Sequence, residues 1–192
     1  MLAPRRREVS LQEVKARWAY SEITSERWGE NYAGLVDPAL YAMARARLPF
    51  EAAIHWQEPL AQIITERQAG LVGILDTSPS FVRVELTARQ LHRLWAIPTM
   101  FKDRDVRRYA RLFPVSPNEN PVVSTEWENV CAAAERVKRP FVQEHEAIVA
   151  KASNAPMLLE GYLRSLLFHR ANDPARRFKV WWPKGLFVPP DA

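Results

Sequence analysis

This sequence predicts an α+β fold: a small mixed sheet with a βαβ unit near the C-terminus, flanked by helices, plus a mostly helical N-terminal third. Three observations predict it. Residues 10–70 carry helix start and stop signals with helical spacing between them. "FVRVEL" (81–86) alternates Val82, Val84 and Leu86 with Arg83 and Glu85, the pattern of a half-buried strand. Residues 156–182 then read as strand, helix and strand, in "PMLLE", a helical run from Tyr162, and "RRFKVWW". A unit of that size implies parallel strands joined by a right-handed crossover.

Each element has a local reason. Residues 1–9, with Arg5, Arg6 and Arg7, read as a flexible basic arm. Ser10-Leu11-Gln12-Glu13 is a capping box that starts a helix over about 11–27. Asp37-Pro38 places a cap before a proline at the first helical position, and that helix is expected to end near Leu48-Pro49. A third helical stretch covers roughly 50–69, with a kink at Pro59 and a stop at Gly70. "LVGIL" (71–75) departs from the helical period, and Thr87 caps a short helix over about 88–96. "KDRDVRRYARLF" (102–113) is an amphipathic helix with Val106, Tyr109, Ala110 and Phe113 on one face. Ser124 or Thr125 caps the next helix, with Trp127, Val130, Cys131, Ala134 and Val137 on one face. Beyond Pro140 a further helical stretch runs to about Ala152. In the last helix Leu163, Leu166 and Leu167 form the expected inward stripe. The regions are therefore a basic arm (1–9), a helical part (10–70) and an α+β part (71–192), in one compact domain.

Composition narrows the function classes. A chain of 192 residues can bury a full core, and its net charge of +5 permits an anionic partner without demanding one. The single cysteine, Cys131, excludes an intrachain disulfide framework and a cysteine-rich zinc site. With no run of about 18 apolar residues and no apolar segment after the opening basic residues, the expectation is a cytoplasmic protein without a membrane span.

The junction Glu160-Gly161-Tyr162-Leu163-Arg164-Ser165 carries the chemistry. A strand's carboxyl end meets a helix N-terminus there, where ligands of α/β units bind. Glycine allows a sharp turn and close approach of a ligand, and the first helical N–H groups point outward. Arg164 falls in the first helical turn, the wrong end of the dipole for a cation, and a bound phosphate would explain it. The Ser165 hydroxyl could add a donor, and Glu160 could sit beside a metal ion accompanying the phosphates. The plain alternative is a turn glycine, with Glu160 pairing with Arg164.

The layout of "FVRVELT", a short helix with Leu91 and Leu94, further helices and then strand–"EGYLRS"–helix–strand resembles the ParB/sulfiredoxin-like superfamily, including its free-serine-kinase branch. The resemblance covers about residues 81–183. Members end a strand in an acidic-Gly-x-x-Arg motif whose loop and helix start bind nucleotide phosphates. By resemblance, Glu160 is the acid and catalytic candidate, and Gly161, Tyr162, Arg164 and Ser165 are the phosphate-binding candidates. The implied ligand is a nucleotide or another phosphorylated molecule, with magnesium as its companion and phosphoryl transfer as the reaction class. Tyr162 and Leu163 stand where sulfiredoxins need a cysteine, and Leu163 stands where the kinase branch has a histidine. No helix-turn-helix reader of the partition-protein kind is recognisable.

Other features suggest other classes. Arg104, Arg107, Arg108 and Arg111 share one helical face, which suits a nucleic-acid backbone or a second set of phosphate contacts; the bland reading is a solvated face. The seven tryptophans and the helical first third suit a protein–protein adaptor. Glu144-His145-Glu146 is dense in ligand-type residues, but neighbours on a helix diverge by about 100°. His145 there shares a face with Phe141 and Ile148, while His55, His92 and His169 have no spaced partners.

Overall fold

The structure, a computed structural model, describes residues 7–97, 125–137, 141–153 and 155–191. The arginine-striped segment 102–113 lies outside the described residues, as do the first six residues. The chain divides into two compact units after Phe81. Among the described residues, six strands and the helices form the expected α+β fold, with strand order β1-β2-β6-β4-β5-β3.

The first unit is helical after a short strand, β1 (Glu8–Ser10). Helix α1 (Leu11–Thr24) starts where Ser10 accepts the Glu13 backbone N–H. The reciprocal half of a capping box is replaced, because the Glu13 carboxylate is held by Arg7 and Arg17. Asp37 caps α2 (Pro38–Arg45) through the N–H groups of Ala39 and Leu40, as its spacing predicts. Residues Phe50–Trp56 then form a 3-10 segment. Pro59 does not kink α3 (Gln57–Arg67), because it falls in the first turn, where no N–H donor is missed. Trp18, Ala19 and Ile23 of α1 are buried, as are Leu60 and Ile64 of α3, the helix α1 packs along.

"LVGIL" corrects the expectation at Gly70: it belongs to a helix, α4 (Ala69–Leu75), with Gly70 inside it and Val72 and Leu75 buried. Apolar runs of this length do not distinguish strand from buried helix.

The second unit holds most of the sheet. Strand β2 (Ser80–Leu86) begins at the boundary and buries Val84 and Leu86 while exposing Glu85. Thr87 and Gln90 make a full capping box on α5 (Ala88–Leu91), shorter than expected because Trp95–Ala96 form strand β3. Helix α6 (Thr125–Arg136) buries Trp127, Val130 and Ala134, the predicted face. Arg170 closes its C-terminal end by donating to the carbonyls of Ala134 and Val137, where the dipole favours a cation.

The helix expected up to Ala152 is instead strand β4 (Ala147–Ala152), and residues 141–146 are irregular, so no helical face joins His145 to Phe141. Ala147 to Ala150 are all buried, so this strand is covered on both faces and shows no alternation. Strand β5 (Ala155–Glu160) pairs antiparallel with β4 and parallel with β3. Helix α7 (Tyr162–Ala171) and strand β6 (Phe178–Pro183) complete the strand–helix–strand unit. Its strands are not parallel neighbours. β6 runs parallel to β4, which stands between it and β5, so β5 and β6 point in opposite directions. The inward stripe of α7 is Tyr162, Ser165 and Phe168, not the three leucines, which are half-buried. Phe168 packs against Phe141 and Phe178, and Ser165 is small enough to sit fully buried.

Candidate functional site

The junction between β5 and α7 is built around a glycine that cannot be replaced without strain. Gly161 has φ of 104°, and a Cβ there would lie 2.5 Å from the Ala147 Cβ. The space that glycine leaves is filled by β4 rather than kept for a ligand. Ser165 N–H donates to the Gly161 carbonyl at 2.9 Å, the first intrahelical bond of α7.

Two of the predicted contacts turn inward. The Tyr162 hydroxyl donates to the Leu158 carbonyl at 2.6 Å and accepts the Ile97 N–H at 2.7 Å. It ties the helix start to β5 and to the residue after β3. Burial pushes the phenol well above its usual range, against the opposing Ile97 hydrogen bond. Trp127 of α6 meets the same ring edge-on. The Ser165 hydroxyl donates to the Tyr162 carbonyl at 2.6 Å. Both side chains therefore fasten the helix start.

Arg164 is where the first helical turn folds back over the strand end. Its guanidinium pairs with the Glu160 carboxylate, four residues earlier, and both side chains are largely buried. Burial pushes the Glu160 carboxyl up, against the downward pull of Arg164 and of the Gly161 backbone N–H. Through its pairing with Arg164, and against that push, the carboxylate supplies at the α7 N-terminus the negative partner that accounts for a cation in the first turn. The pair does not use the whole guanidinium. Arg164 Nε is buried and has no hydrogen-bond partner among the described residues.

A resident magnesium ion does not fit this arrangement. Magnesium takes carboxylate oxygens free to coordinate it and keeps several waters. The Glu160 oxygens are engaged by Arg164 and Gly161, and no group of three His, Cys, Asp or Glu side chains gathers elsewhere among the described residues.

The remaining candidates separate. Arg104, Arg107, Arg108 and Arg111 lie outside the described residues. Glu146 pairs with Arg83 of β2 at 3.0 Å, and the His55 ring lies tilted against that of Trp56. Sequence spacing missed His92 and His169, which meet although widely separated along the chain. No local pattern could have signalled that meeting, since packing of α5 on α7 creates it. No helix among the described residues is long and apolar enough to cross a membrane. Comparison with protein-family models, curated proteins and solved structures yields no match to this chain.

Proposed function

We propose that the second unit binds a phosphorylated small molecule, a nucleotide in the ParB/sulfiredoxin-like reading, at the β5–α7 junction, with Arg164 taking the phosphate. The observation that carries this is the unused donor of a buried guanidinium: Arg164 Nε has no partner while the other end of the group holds Glu160. A buried ion pair adds little net stability, because desolvation offsets the attraction. Such a pair is better suited to exchanging partners than to holding a fold. A phosphate at the α7 N-terminus would receive Arg164 together with the first-turn N–H groups. Glu160, released from its cation in a buried place, would then take up a proton.

The proposal stops at binding. Phosphoryl transfer would need Glu160 as an ionised partner for the metal, and a Glu160 that takes up a proton once Arg164 has left it would not supply one.

A thermal-shift panel of ATP, GTP, CTP, UTP, pyrophosphate and inorganic phosphate, with and without magnesium, tests the reading. At least one probe should raise the melting temperature of the wild type. Arg164→Lys keeps a charge but loses the planar fork, and should lose most of that shift. Absence of any shift in the wild type, or an equal shift in Arg164→Lys, would overturn the assignment.

A further inference from the structure

Away from the β5–α7 junction, His92 caps the C-terminal end of α5 and His169 lies in the last turn of α7. The two rings face each other within the second unit. His92 Nε2 and His169 Nδ1 lie 3.1 Å apart, with ring centroids 4.7 Å apart and planes tilted by 53°. His92 is half-buried and His169 is exposed, so the pair opens to solvent on one side. Because α5 packs on α7, the fold itself sets this spacing.

We propose that His92 and His169 together form a binding site for a divalent transition-metal ion of the zinc, copper(II) or nickel class. Imidazole nitrogens bind zinc at about 2.0–2.1 Å, so two of them on neighbouring tetrahedral corners stand roughly 3.3–3.4 Å apart. The facing nitrogens are within a few tenths of an ångström of that separation, a difference that a small ring tilt supplies. Imidazole suits these metals, whereas magnesium and calcium prefer oxygen. Neutral imidazole is the ligating form. Water fills the remaining coordination positions.

Coordination replaces the ring-to-ring hydrogen bond. The ring that donates it loses the proton on its facing nitrogen and regains one from solvent on its other nitrogen. For a neutral pair this is an exchange of tautomer, with no net proton released.

Titration of the full chain with zinc chloride, followed by calorimetry and by imidazole ¹H–¹⁵N spectra, tests the site. One equivalent should bind, with the ring signals of His92 and His169 moving before those of His55 and His145. His92→Ala and His169→Ala should each weaken binding by roughly tenfold or more. His169→Asn changes only an exposed ring and serves as the readout if His92→Ala fails to fold. The proposal fails if the wild type binds no zinc, if His169→Asn binds as tightly as wild type, or if His55 or His145 responds first.

Discussion

Each unit contains a glutamate held by arginine, and burial pushes both carboxyls up, but only in the first unit do the arginine hydrogen bonds reverse that push. In the first unit Glu51 receives Arg7 and Arg17 at 2.8 Å each while remaining about half exposed. Burial pushes its carboxyl up, but the Arg17 and Arg7 hydrogen bonds outweigh that and bring it down to about 2. In the second unit Glu160 has one arginine and far less water, and its carboxyl is pushed up. The same pair of residue types therefore has opposite linkage to pH. A lowered carboxyl contributes stability that is present above its unfolded value near 4.5 and is lost as pH falls through about 2. A raised carboxyl contributes stability that is full below the unfolded value and is lost as pH rises through the folded one. One pair strengthens the fold at neutral pH, and the other is held there against desolvation.

Breaking the buried pair gives the largest expected effect. Arg164→Met leaves a carboxylate uncompensated in a buried place and should cost about 3–5 kcal/mol at neutral pH. Denaturant melts at several pH values check it. The deficit should shrink as pH falls toward 4.5 and should be partly relieved by adding Glu160→Gln.

Opening the wall around that pair comes next. Gly161→Ala puts a Cβ against Ala147 in a left-handed backbone, and should cost about 2–4 kcal/mol through overpacking and strain. Thermal melting of the variant measures the loss. Tyr162→Phe leaves the Ile97 N–H and the Leu158 carbonyl without their shared hydroxyl. A loss of about 1–3 kcal/mol is expected, with faster exchange of the Ile97 amide.

The exposed pair gives the smallest effect. Glu51→Gln should cost under about 1 kcal/mol after solvent screening. Its difference from wild type should be present at neutral pH, fall in high salt, and disappear near pH 2, as denaturant titration at each condition would record.

The comparison also separates what local sequence can convey from what it cannot. Caps were legible because they are short-range chemistry: Ser10, Asp37 and Thr87 each accept backbone N–H groups two or three residues ahead. Strand β5 and helix α7 were legible from an apolar run followed by a glycine. Strand β4 was not, since Ala147 to Ala150 are covered on both faces and present no alternating period. Nor was the antiparallel relation of β5 to β6, which depends on β4 standing between them. At the candidate site, the strand–glycine–helix junction put Glu160 and Arg164 together, and the alternative pairing of the two was open from the start. That Tyr162 and Ser165 would turn inward depends on how α7 lies on the sheet, which the leucine spacing misreported.

Partner exchange at Arg164 is the central claim, and the Glu160 carboxyl reports it directly. Carboxyl carbon NMR of the labelled chain, titrated with pH in the absence and presence of whichever probe stabilises it, follows that one group. The account predicts that the Glu160 midpoint rises further when the probe binds, because its cation has moved to the phosphate. An unchanged midpoint at saturating probe would mean that Arg164 never leaves Glu160, and would contradict the account.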